Sequence, residues 1–502
     1  MATLRLAILA DAHLPDCPGS AQEAALLWAV SAAREAGVEW LGAAGDMTAA
    51  GEASAAERVV TILDASGMPW LSTPGNAELR TPALAAAVCH ALTVEREASP
   101  VVTVDTAQGT VPERERRRVE QRLASVPVPL VLVTHWPPDE LPAGDRDWLA
   151  AVVAGSSIEL LIAGHKHYDE VRSFAGKPLH LVRGLDPDKA KHDLPALALF
   201  TRDSVGWQRT DLGFPGADPR LWSEAAKAEF LAQLGVSTMN QPVAGTHEAL
   251  AHGIQTIELR ADVALVAPRP ELVTAVQAWR DGGGRCLSLH LPDLRWNGRE
   301  IAGFETFRAA IALGRELRVD RVTLHVPRAR VSELANATMW QRFLRAFAEE
   351  LAPLRELGAT VGIENLHRNR GETTDDQRGY GYLPDECLAW IADLREALPG
   401  VPLGLHLDIG HARSNSPFSQ SWILGRWYAA VGHGIVGYHL HQVTEKGNHQ
   451  PFSSPFAPLL SLASFFWAWQ SGQLRQAPMI LEIRGQSGAP SWQRLRDFIE
   501  GR

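Results

Sequence analysis

The chain has 502 residues, of which 46% are hydrophobic and 21% are charged, and its formal net charge is −10. This length predicts two hydrophobic cores, and the composition excludes an extensively disordered or fibrous chain. The acidic balance disfavours binding of polyanions through bulk charge, because the longest basic cluster is the short run 114–118.

No apolar stretch of the sequence reaches the roughly 18 residues needed to cross a bilayer, and the first strand-like run lacks the features of a signal peptide. We therefore expect a cytoplasmic protein without a membrane partner. The cysteines are widely separated and show no zinc-type pairing, which predicts free thiols at Cys17, Cys89, Cys286 and Cys387.

In the first half, short strand-like runs end in polar residues and alternate with alanine-rich helical stretches, which predicts a layered α/β domain. The predicted strands are 4–10, 40–44, 69–72, 130–133 and 160–163, and the predicted helices include 21–36 and 53–65. Two prolines and a glycine in 214–219 mark the end of this pattern. We predict a first domain over 1–213, a linker with a helix (220–234) over 214–235, and a second domain over 236–502.

The second half alternates more regularly, with helical segments such as 339–357 between buried strands. The predicted strands are 235–239, 256–259, 286–290, 322–326, 360–364, 404–408, 437–441 and 479–483. Eight such strands predict a closed (β/α)₈ barrel, whose chemistry lies at the C-terminal ends of the strands. An open doubly wound sheet is the weaker alternative.

Residues of metal-ligand type follow the predicted strands of the first half: Asp11, His13, Asp46, Asn76, His135, His165 and His167. Asp11 and His13 are two positions apart, which places both side chains on one side of an extended segment. The two oxygens of the Asp46 carboxylate can bridge two cations, and two histidines at this spacing can reach ions about 3.5–4 Å apart. The set predicts a dinuclear metal site.

These residues resemble sequence blocks of the calcineurin-like metallophosphoesterase superfamily: Asp11-Ala12-His13, Gly45-Asp46, Gly75-Asn76, His135 and Gly164-His165-Lys166-His167. The resemblance covers residues 1 to about 210 and implies a sandwich of two mixed sheets flanked by helices. The implied ligands of one cation are Asp11, His13 and His167. Those of the other are Asn76, His135 and His165, and Asp46 bridges the two.

The resemblance implies a metal-dependent phosphoric ester hydrolase with two divalent ions, for which Mn, Fe, Zn and Ni are all suited to mixed nitrogen and oxygen ligands. The expected catalytic residues are Asp46, Asn76 and His135. The family often has a histidine that helps to protonate the leaving oxygen where this chain has Ala77, which cannot donate a proton. We therefore expect substrates with good leaving groups, including some diesters. The stretch 101–108 is also similar to the cyclic-nucleotide phosphodiesterase branch.

A second set of ligand-type residues lies at the ends of the predicted barrel strands: His290, His325, Glu364, Asp408, His439 and Glu482, with His411 one short turn after Asp408. Carboxylates and imidazoles that converge from separate strands on one rim are how a barrel builds a metal site. The sequence therefore predicts a second metal site.

The runs around Glu364, Asp408, His439-Leu440-His441 and Glu482 resemble the xylose-isomerase-like barrel superfamily, which also includes the endonuclease IV class of abasic-site nucleases. The resemblance spans about 236–502. It implies that Glu364, Asp408, His439 and Glu482 hold a shared metal, with His441 as the alternative to His439. In an isomerase, the catalytic carboxylates Glu364 and Glu482 would move a proton across the carbon skeleton.

The nuclease branch needs additional ligands, because its site is trinuclear. His290, His325, His411 and His449 match its positions, but Gly447 stands where it has an aspartate. We accordingly expect one to three divalent ions in the barrel, Zn or Mn.

Together the two halves predict a bifunctional metalloenzyme: a phosphodiesterase or phosphatase joined to an isomerase- or epimerase-like barrel, with a small phosphorylated sugar or nucleotide as substrate. Two alternatives stay open. One is a nucleic-acid end-processing or repair enzyme, which the acidic charge disfavours. The other is a barrel that only binds substrate without catalysis. The sequence does not predict the oligomeric state.

Overall fold

The computed structural model describes residues 4–96, 99–125, 130–297, 299–326, 328–369, 371–372, 374–375, 377–415, 424–457 and 459–502. The chain divides into two compact units, Met1–Asp218 with Phe456–Trp467 and Pro219–Pro455 with Ala468–Arg502. Within the described ranges, every helix is too short or too polar to cross a membrane.

The first unit contains two five-stranded mixed sheets, with strand orders β10-β9-β1-β2-β3 and β4-β5-β6-β8-β7. The strands are β1 (Leu4–Leu9), β2 (Trp40–Ala44), β3 (Trp70–Thr73), β4 (Val101–Val104), β5 (Leu130–Thr134), β6 (Ile158–Ala163), β7 (Glu170–Phe174), β8 (Lys177–Leu181), β9 (Ala196–Arg202) and β10 (Trp207–Gly213). The helices are α1 (Ala21–Glu35), α2 (Ala53–Ala65), α3 (Ala85–Ala91), α4 (Glu113–Ser125) and α5 (Ala143–Ala154).

The two sheets of the first unit pack face to face, which confirms the expected sandwich. One apolar cluster takes side chains from both sheets, including Ile8 of β1 and Val133 of β5. A second cluster joins α1 and α2 to the first sheet through residues such as Leu26 and Val59. A third joins α4 and α5 to the second sheet. The strands β1, β2, β3, β5 and β6 are therefore held in fixed positions by cores on both of their faces.

The second unit is a closed barrel of eight parallel strands in the order β11-β12-β13-β16-β17-β18-β19-β22. Its strands are β11 (Leu234–Ser237), β12 (Thr256–Arg260), β13 (Cys286–His290), β14 (Arg295–Trp296), β15 (Ile301–Ala302), β16 (Arg321–His325), β17 (Thr360–Glu364), β18 (Leu403–Asp408), β19 (Ile435–Leu440), β20 (Gln442–Thr444), β21 (Gly447–Gln450) and β22 (Met479–Leu481). The pairs β14-β15 and β20-β21 form two small separate sheets.

Helices alternate with the barrel strands. They are α6 (Glu224–Gln233), α7 (Pro242–Ala251), α8 (Ala261–Ala264), α9 (Arg269–Asp281), α10 (Phe304–Leu317), α11 (Val331–Leu334), α12 (Ala337–Leu351), α13 (Leu354–Leu357), α14 (Pro384–Ala397), α15 (Ile409–Ser414), α16 (Leu424–Val431), α17 (Ala463–Gln470) and α18 (Ala489–Glu500). Of α17, residues 463–467 belong to the first unit. Closure of the barrel confirms the (β/α)₈ prediction, and the open-sheet alternative is wrong.

Two predicted helices are shorter than expected. The segment 339–357 is interrupted between α12 and α13, where Pro353 caps α13 and cannot supply a helical N–H. The helix expected over 220–234 is preceded by the single turn Pro219–Leu221. It begins only at Glu224, because the Ser223 hydroxyl accepts the Ala226 N–H and fixes the first turn there.

Candidate metal centres

The structure brings all of the predicted ligands of the first unit together. Each follows the C-terminal end of a strand in the sandwich: Asp11 and His13 follow β1, Asp46 follows β2, Asn76 follows β3, His135 follows β5, and His165 and His167 follow β6. The carboxylate of Asp46 lies between two histidines. Its Oδ2 is 3.5 Å from His13 Nε2, and its Oδ1 is 3.4 Å from His135 Nε2.

The remaining ligand atoms of this first centre lie close to the same groups. His135 Nε2 is 3.1 Å from Asn76 Oδ1 and 3.2 Å from His165 Nδ1. Asp11 Oδ1 is 3.5 Å from His167 Nε2. Nitrogen and oxygen atoms at these separations can bind one cation together instead of bonding to each other. Ligand atoms that each lie about 2.0–2.2 Å from the same ion are separated from one another by similar distances.

This centre contains two groups of residues, and within each group the ligand atoms all lie within 4.8 Å of one another. One group is Asp11, His13 and His167, and the other is Asp11, Asp46 and His135. Both ring nitrogens of His13 and Nδ1 of His167 are buried without a hydrogen-bond partner in the described part of the chain. A buried nitrogen without a partner is costly, so these side chains fit a bound cation. Burial also lowers the pKa of both histidines, which keeps their rings neutral as metal binding requires.

The backbone at the first centre adopts a conformation that only glycine accepts easily. The φ angle is positive at Asp11 (50°), His13 (46°), Asp46 (52°), His165 (69°) and His167 (59°). Hydrogen bonds between the strand-end loops hold this conformation, including Asp11 N–H to Gly45 O at 3.0 Å and His13 N–H to Asp46 O at 2.9 Å. Strained backbone concentrated at so many of the predicted ligand positions is typical of a functional site.

Glu78 supports this centre, although the sequence patterns did not assign it a role. Its carboxylate accepts the N–H groups of Thr48 (2.8 Å), Gly75 (2.7 Å) and Asp46 (3.1 Å), so it ties the loops after β2 and β3 together. Burial, with the nearby charge of Asp46 as the second cause, raises the pKa of Glu78 to about 7. The only feature of the sequence that pointed to Glu78 was its position two residues after the predicted ligand Asn76.

Ala77 is buried beside the ligands and offers only its backbone. Its N–H donates to Asp46 Oδ1 at 2.6 Å, which fixes the rotamer of that carboxylate. The neighbouring Trp136 ring stacks on His165 with ring centroids 3.8 Å apart. The loop after β3 therefore shapes the centre without supplying an acid from position 77.

In the barrel, Glu364 occupies the middle of a second centre. Its Oε2 is 3.1 Å from His290 Nε2 and 3.2 Å from His325 Nε2. Its Oε1 is 3.0 Å from His439 Nδ1. The same nitrogen of His439 lies 3.4 Å from Glu482 Oε2. The ends of the barrel strands thus place Glu364 beside the other predicted ligands His290, His325, His439 and Glu482.

Asp408 also belongs to this centre and is a member of two groups of ligand atoms. One contains Glu364, Asp408, His439 and Glu482, and the other contains Asp408, His411, His441 and His449. The structure therefore places His439 and His441 in different groups, although the sequence treated them as alternatives for one position.

Glu258 and Asp293 contact histidines of the barrel centre, and His406 packs edge-on against His439 with ring centroids 4.2 Å apart. No sequence pattern pointed to these three residues. Glu258 Oε1 is 2.9 Å from His439 Nε2, and Asp293 Oδ1 is 2.6 Å from His325 Nδ1. Burial alone would raise the pKa of Glu258, but the adjacent His439 holds it below its usual range. Carboxylates on the outer nitrogen of a metal-binding histidine are the usual means of orienting its ring.

No family model and no curated protein matches the chain, but both halves are similar to solved structures. A D-tagatose 3-epimerase-like protein is 18% identical, covering 53% of this chain and 97% of its own, with a TM-score of 0.38. A putative xylose isomerase from Rhodospirillum rubrum is 14% identical over 53% of this chain and 97% of its own, with a TM-score of 0.42. A dimetal phosphatase from Danio rerio is 15% identical over 42% of this chain and 99% of its own, with a TM-score of 0.32. The identity to these solved structures is low, and the fold is defined by the strand order of each unit.

Proposed function

We propose that the first unit is a phosphoric ester hydrolase that depends on two divalent cations. The observation that carries this proposal is the position of Asp46, whose two oxygens face histidines on opposite sides of the centre. A carboxylate in that position can hold two cations next to each other. Asp11, His13 and His167 would hold one cation, and Asn76, His135 and His165 the other.

Bound cations would supply an activated water and stabilise the charge of the phosphate during in-line displacement. The protein itself fixes the geometry. Glu78 holds the loops that carry Asp46 and Asn76, and the Ala44 carbonyl, 2.9 Å from His135 Nδ1, orients that ring so that Nε2 faces the centre. Little reorganisation is then needed when the substrate arrives.

The substrate that fits this centre best is a small phosphorylated sugar or nucleotide whose leaving group departs without protonation. Ala77 supplies no proton, so a leaving oxygen of high pKa would slow the reaction. Phosphodiesters and activated monoesters suffer least from this lack.

Hydrolysis of aryl phosphodiesters by Asp46→Asn and His135→Ala tests the proposal. Loss of an outer-shell partner of a metal site typically costs about 10–100-fold, and we expect a larger loss for these two ligands. Asp147→Asn is the matched control, because Asp147 has 77% of its side chain exposed on α5 and should keep wild-type turnover. Near-native turnover in both ligand variants would remove the basis for the proposal.

For the barrel, we propose a metal-dependent isomerase or epimerase acting on a sugar or sugar phosphate. The support is the buried set Glu364, Asp408, His439 and Glu482, whose ligand atoms lie within 4.8 Å of one another. Glu364 and Glu482 would transfer the proton between neighbouring carbons of a hydroxyketone held against this set.

A second candidate for the barrel is cleavage of phosphodiesters in nucleic acid. It is favoured by one observation, the pair His290 and His325 on the second oxygen of Glu364, which could hold a further cation beside the first. Ketose-phosphate interconversion and abasic-DNA cleavage, measured for the wild type and for Glu364→Ala and Glu482→Ala, separate the candidates. If neither substitution changes any reaction of the full chain, the barrel is a binding module.

A further inference from the structure

We propose that Lys191 forms a phosphate subsite beside the first centre, and that the substrate of the first unit carries a second phosphate in addition to the ester that is hydrolysed. The inference rests on the proposed hydrolase function and specifies its substrate further. It assigns the selection of that substrate to a residue that no sequence pattern pointed to.

The segment 182–192 follows β8 and runs beside the first centre. The Asp186 N–H donates to Asp11 O at 2.9 Å. A Cβ atom added at Gly184 would lie 2.7 Å from His167 Nδ1, so the backbone passes this ligand too closely for any residue larger than glycine. The residues that follow Gly184 are therefore held at the edge of the centre.

Lys191 reaches from this segment to the loop that carries two of the predicted ligands. Its Nζ donates to Lys166 O at 2.6 Å, and Lys166 stands between His165 and His167 in the chain. The same Nζ lies 5.6 Å from the centroid of the Tyr168 ring, a distance at which a cation is attracted to an aromatic face. These two contacts fix the ammonium group beside the ligand loop.

Lys191 differs from two neighbouring lysines in the pairing of its charge. Lys166 forms an ion pair with Glu140, and Lys189 Nζ lies 3.6 Å from Asp186 Oδ2. Among the carboxylates that the structure describes, none forms an ion pair with Lys191. Its positive charge is therefore available to an anionic group of a ligand.

The charge balance of the loaded centre also favours a substrate with more than one phosphate. Asp11 and Asp46 are the two carboxylates among the proposed ligands, and two divalent cations would more than neutralise them. The half-buried ammonium of Lys191 would add to this excess of positive charge. Because a partly buried charge is costly unless it is paired, a second phosphate is a fitting partner for Lys191.

The ammonium group suits a phosphate better than a carboxylate. It is a compact point charge with three N–H donors, and the bond to Lys166 O leaves donors for the oxygens of a ligand. A tetrahedral phosphate offers several oxygens to such a donor, whereas a planar carboxylate is matched better by the fork of an arginine. The second anionic group of the substrate is therefore assigned as a phosphate.

The test compares two nucleotides that differ only in a second phosphate, thymidine 3′,5′-bisphosphate and thymidine 5′-monophosphate. Calorimetric titration of the full chain loaded with Mn²⁺ measures the affinity for each. We expect the wild type to bind the bisphosphate about tenfold more tightly, because hydrogen bonds to charged groups are worth this much. Lys191→Gln should lose that preference.

Two further variants separate the charge of Lys191 from its packing. Lys191→Arg keeps the charge and should keep most of the preference. Lys177→Gln is the matched control, because Lys177 begins β8 at the end opposite to the segment 182–192, and it should show the wild-type ratio of affinities. Equal affinities in the wild type, or an undiminished preference in Lys191→Gln, overturn the subsite. The wild-type comparison needs no substitution and decides the matter where a variant fails to fold.

Failure of the subsite is distinguishable from failure of the proposed hydrolase. Hydrolysis of the 4-nitrophenyl ester of thymidine 5′-monophosphate tests the reaction and involves no second phosphate. Turnover of this ester without a preference for the bisphosphate rejects the subsite alone. Absence of turnover, for this ester and for its 3′-phosphorylated form, rejects the hydrolase and with it the assigned substrate.

Discussion

At the scale of single residues, Glu258 is a clear case of a side chain that orients another. Its Oε1 faces His439 Nε2 at 2.9 Å, and its Oε2 accepts the Ser288 hydroxyl at 2.8 Å. The Glu258 carboxylate therefore holds the His439 ring so that its Nδ1 faces Glu364 and Glu482. We infer that Glu258 determines how well His439 can serve as a ligand.

Replacement of Glu258 by glutamine should weaken metal binding by the barrel about 10–100-fold, because the ring loses its charged outer partner. Calorimetric titration of the metal-free chain with Mn²⁺ measures the change. Ser288→Ala is the matched control, since it removes a hydrogen bond to the same carboxylate but leaves the charge in place. Equal affinities for the wild type and Glu258→Gln would contradict the assigned role.

His180 gives a pH-dependent prediction away from both centres. Its ring packs edge-on against Phe200 with centroids 5.4 Å apart, and burial, followed by the charge of Arg209, lowers its pKa to about 4. The folded state thus favours the neutral ring, and the resulting stability is present above the unfolded pKa of about 6.5 and is lost as the pH falls towards 4.

The free energy of unfolding of wild type relative to His180→Leu should therefore decrease as the pH is lowered from 6.5 to 4. Urea unfolding at several pH values measures it. His90→Leu, which replaces an exposed histidine of the same unit, should show no such trend. A pH-independent difference for His180→Leu would be inconsistent with this explanation.

Sequence spacing could predict ligands that lie close together along the chain but not their distant partners. Asp11 and His13, or His165 and His167, are recognisable as pairs at a strand end. Glu258 and His439 are 181 positions apart, and only closure of the barrel brings them together. Position in the chain therefore predicts most of the candidate ligands, whereas the residues that orient them can be recognised only in the tertiary structure.

At the scale of elements, the close approach of the loops after β2 and β3 depends on Gly75. A Cβ atom added there would lie 2.9 Å from His135 Cε1 and closer still to Asp46 Oδ1. Such a separation is below van der Waals contact, so the loop or the ligands would have to move.

We expect Gly75→Ala to reduce the proposed phosphoesterase activity at least about tenfold, because small displacements of catalytic groups are costly, while leaving the proposed barrel reaction intact. Turnover at saturating Mn²⁺ is the measurement. Gly144→Ala is the control, since nothing lies within 4 Å of its added Cβ in the first turn of α5, and it should remain fully active. Unaltered turnover in Gly75→Ala would show that activity does not depend on the close approach of the loops after β2 and β3.

The buried strands of the chain were predictable, whereas the partly exposed ones were not. The strands β2, β13 and β17 begin and end where the apolar runs predict, because strands buried on both faces have nearly continuous apolar sequences. The strands β7 and β10 alternate between exposed and partly buried residues, and their polar sequences gave too weak a pattern to identify.

At the scale of the whole molecule, the first unit includes a segment from far along the chain, residues 456–467. The Ser461 N–H donates to Asp188 O at 3.2 Å, and the His192 N–H donates to Phe456 O at 3.4 Å. Leu460, Leu462 and Phe465 of this segment are fully buried. No pattern in the amino-acid sequence predicts this arrangement, since the segment lies within the barrel half.

A fragment of residues 1–218 should therefore melt at a lower temperature than the same unit in the full chain. The loss of several buried apolar side chains, each worth about 1.5–3 kcal/mol, is the reason. Calorimetry of the fragment, with and without a peptide of residues 456–467, measures the effect. A fragment that melts like the intact unit, with no response to the peptide, would show that the segment is dispensable.

The late position of residues 456–467 also has a consequence for synthesis. At ribosomal rates of about 5–20 residues per second, roughly 12–50 s separate the emergence of residue 218 from that of residue 467. During this interval the nascent sandwich lacks its last segment and leaves apolar surface for chaperones to shield. Maturation of the first unit is thus coupled in time to translation of the chain as far as residue 467.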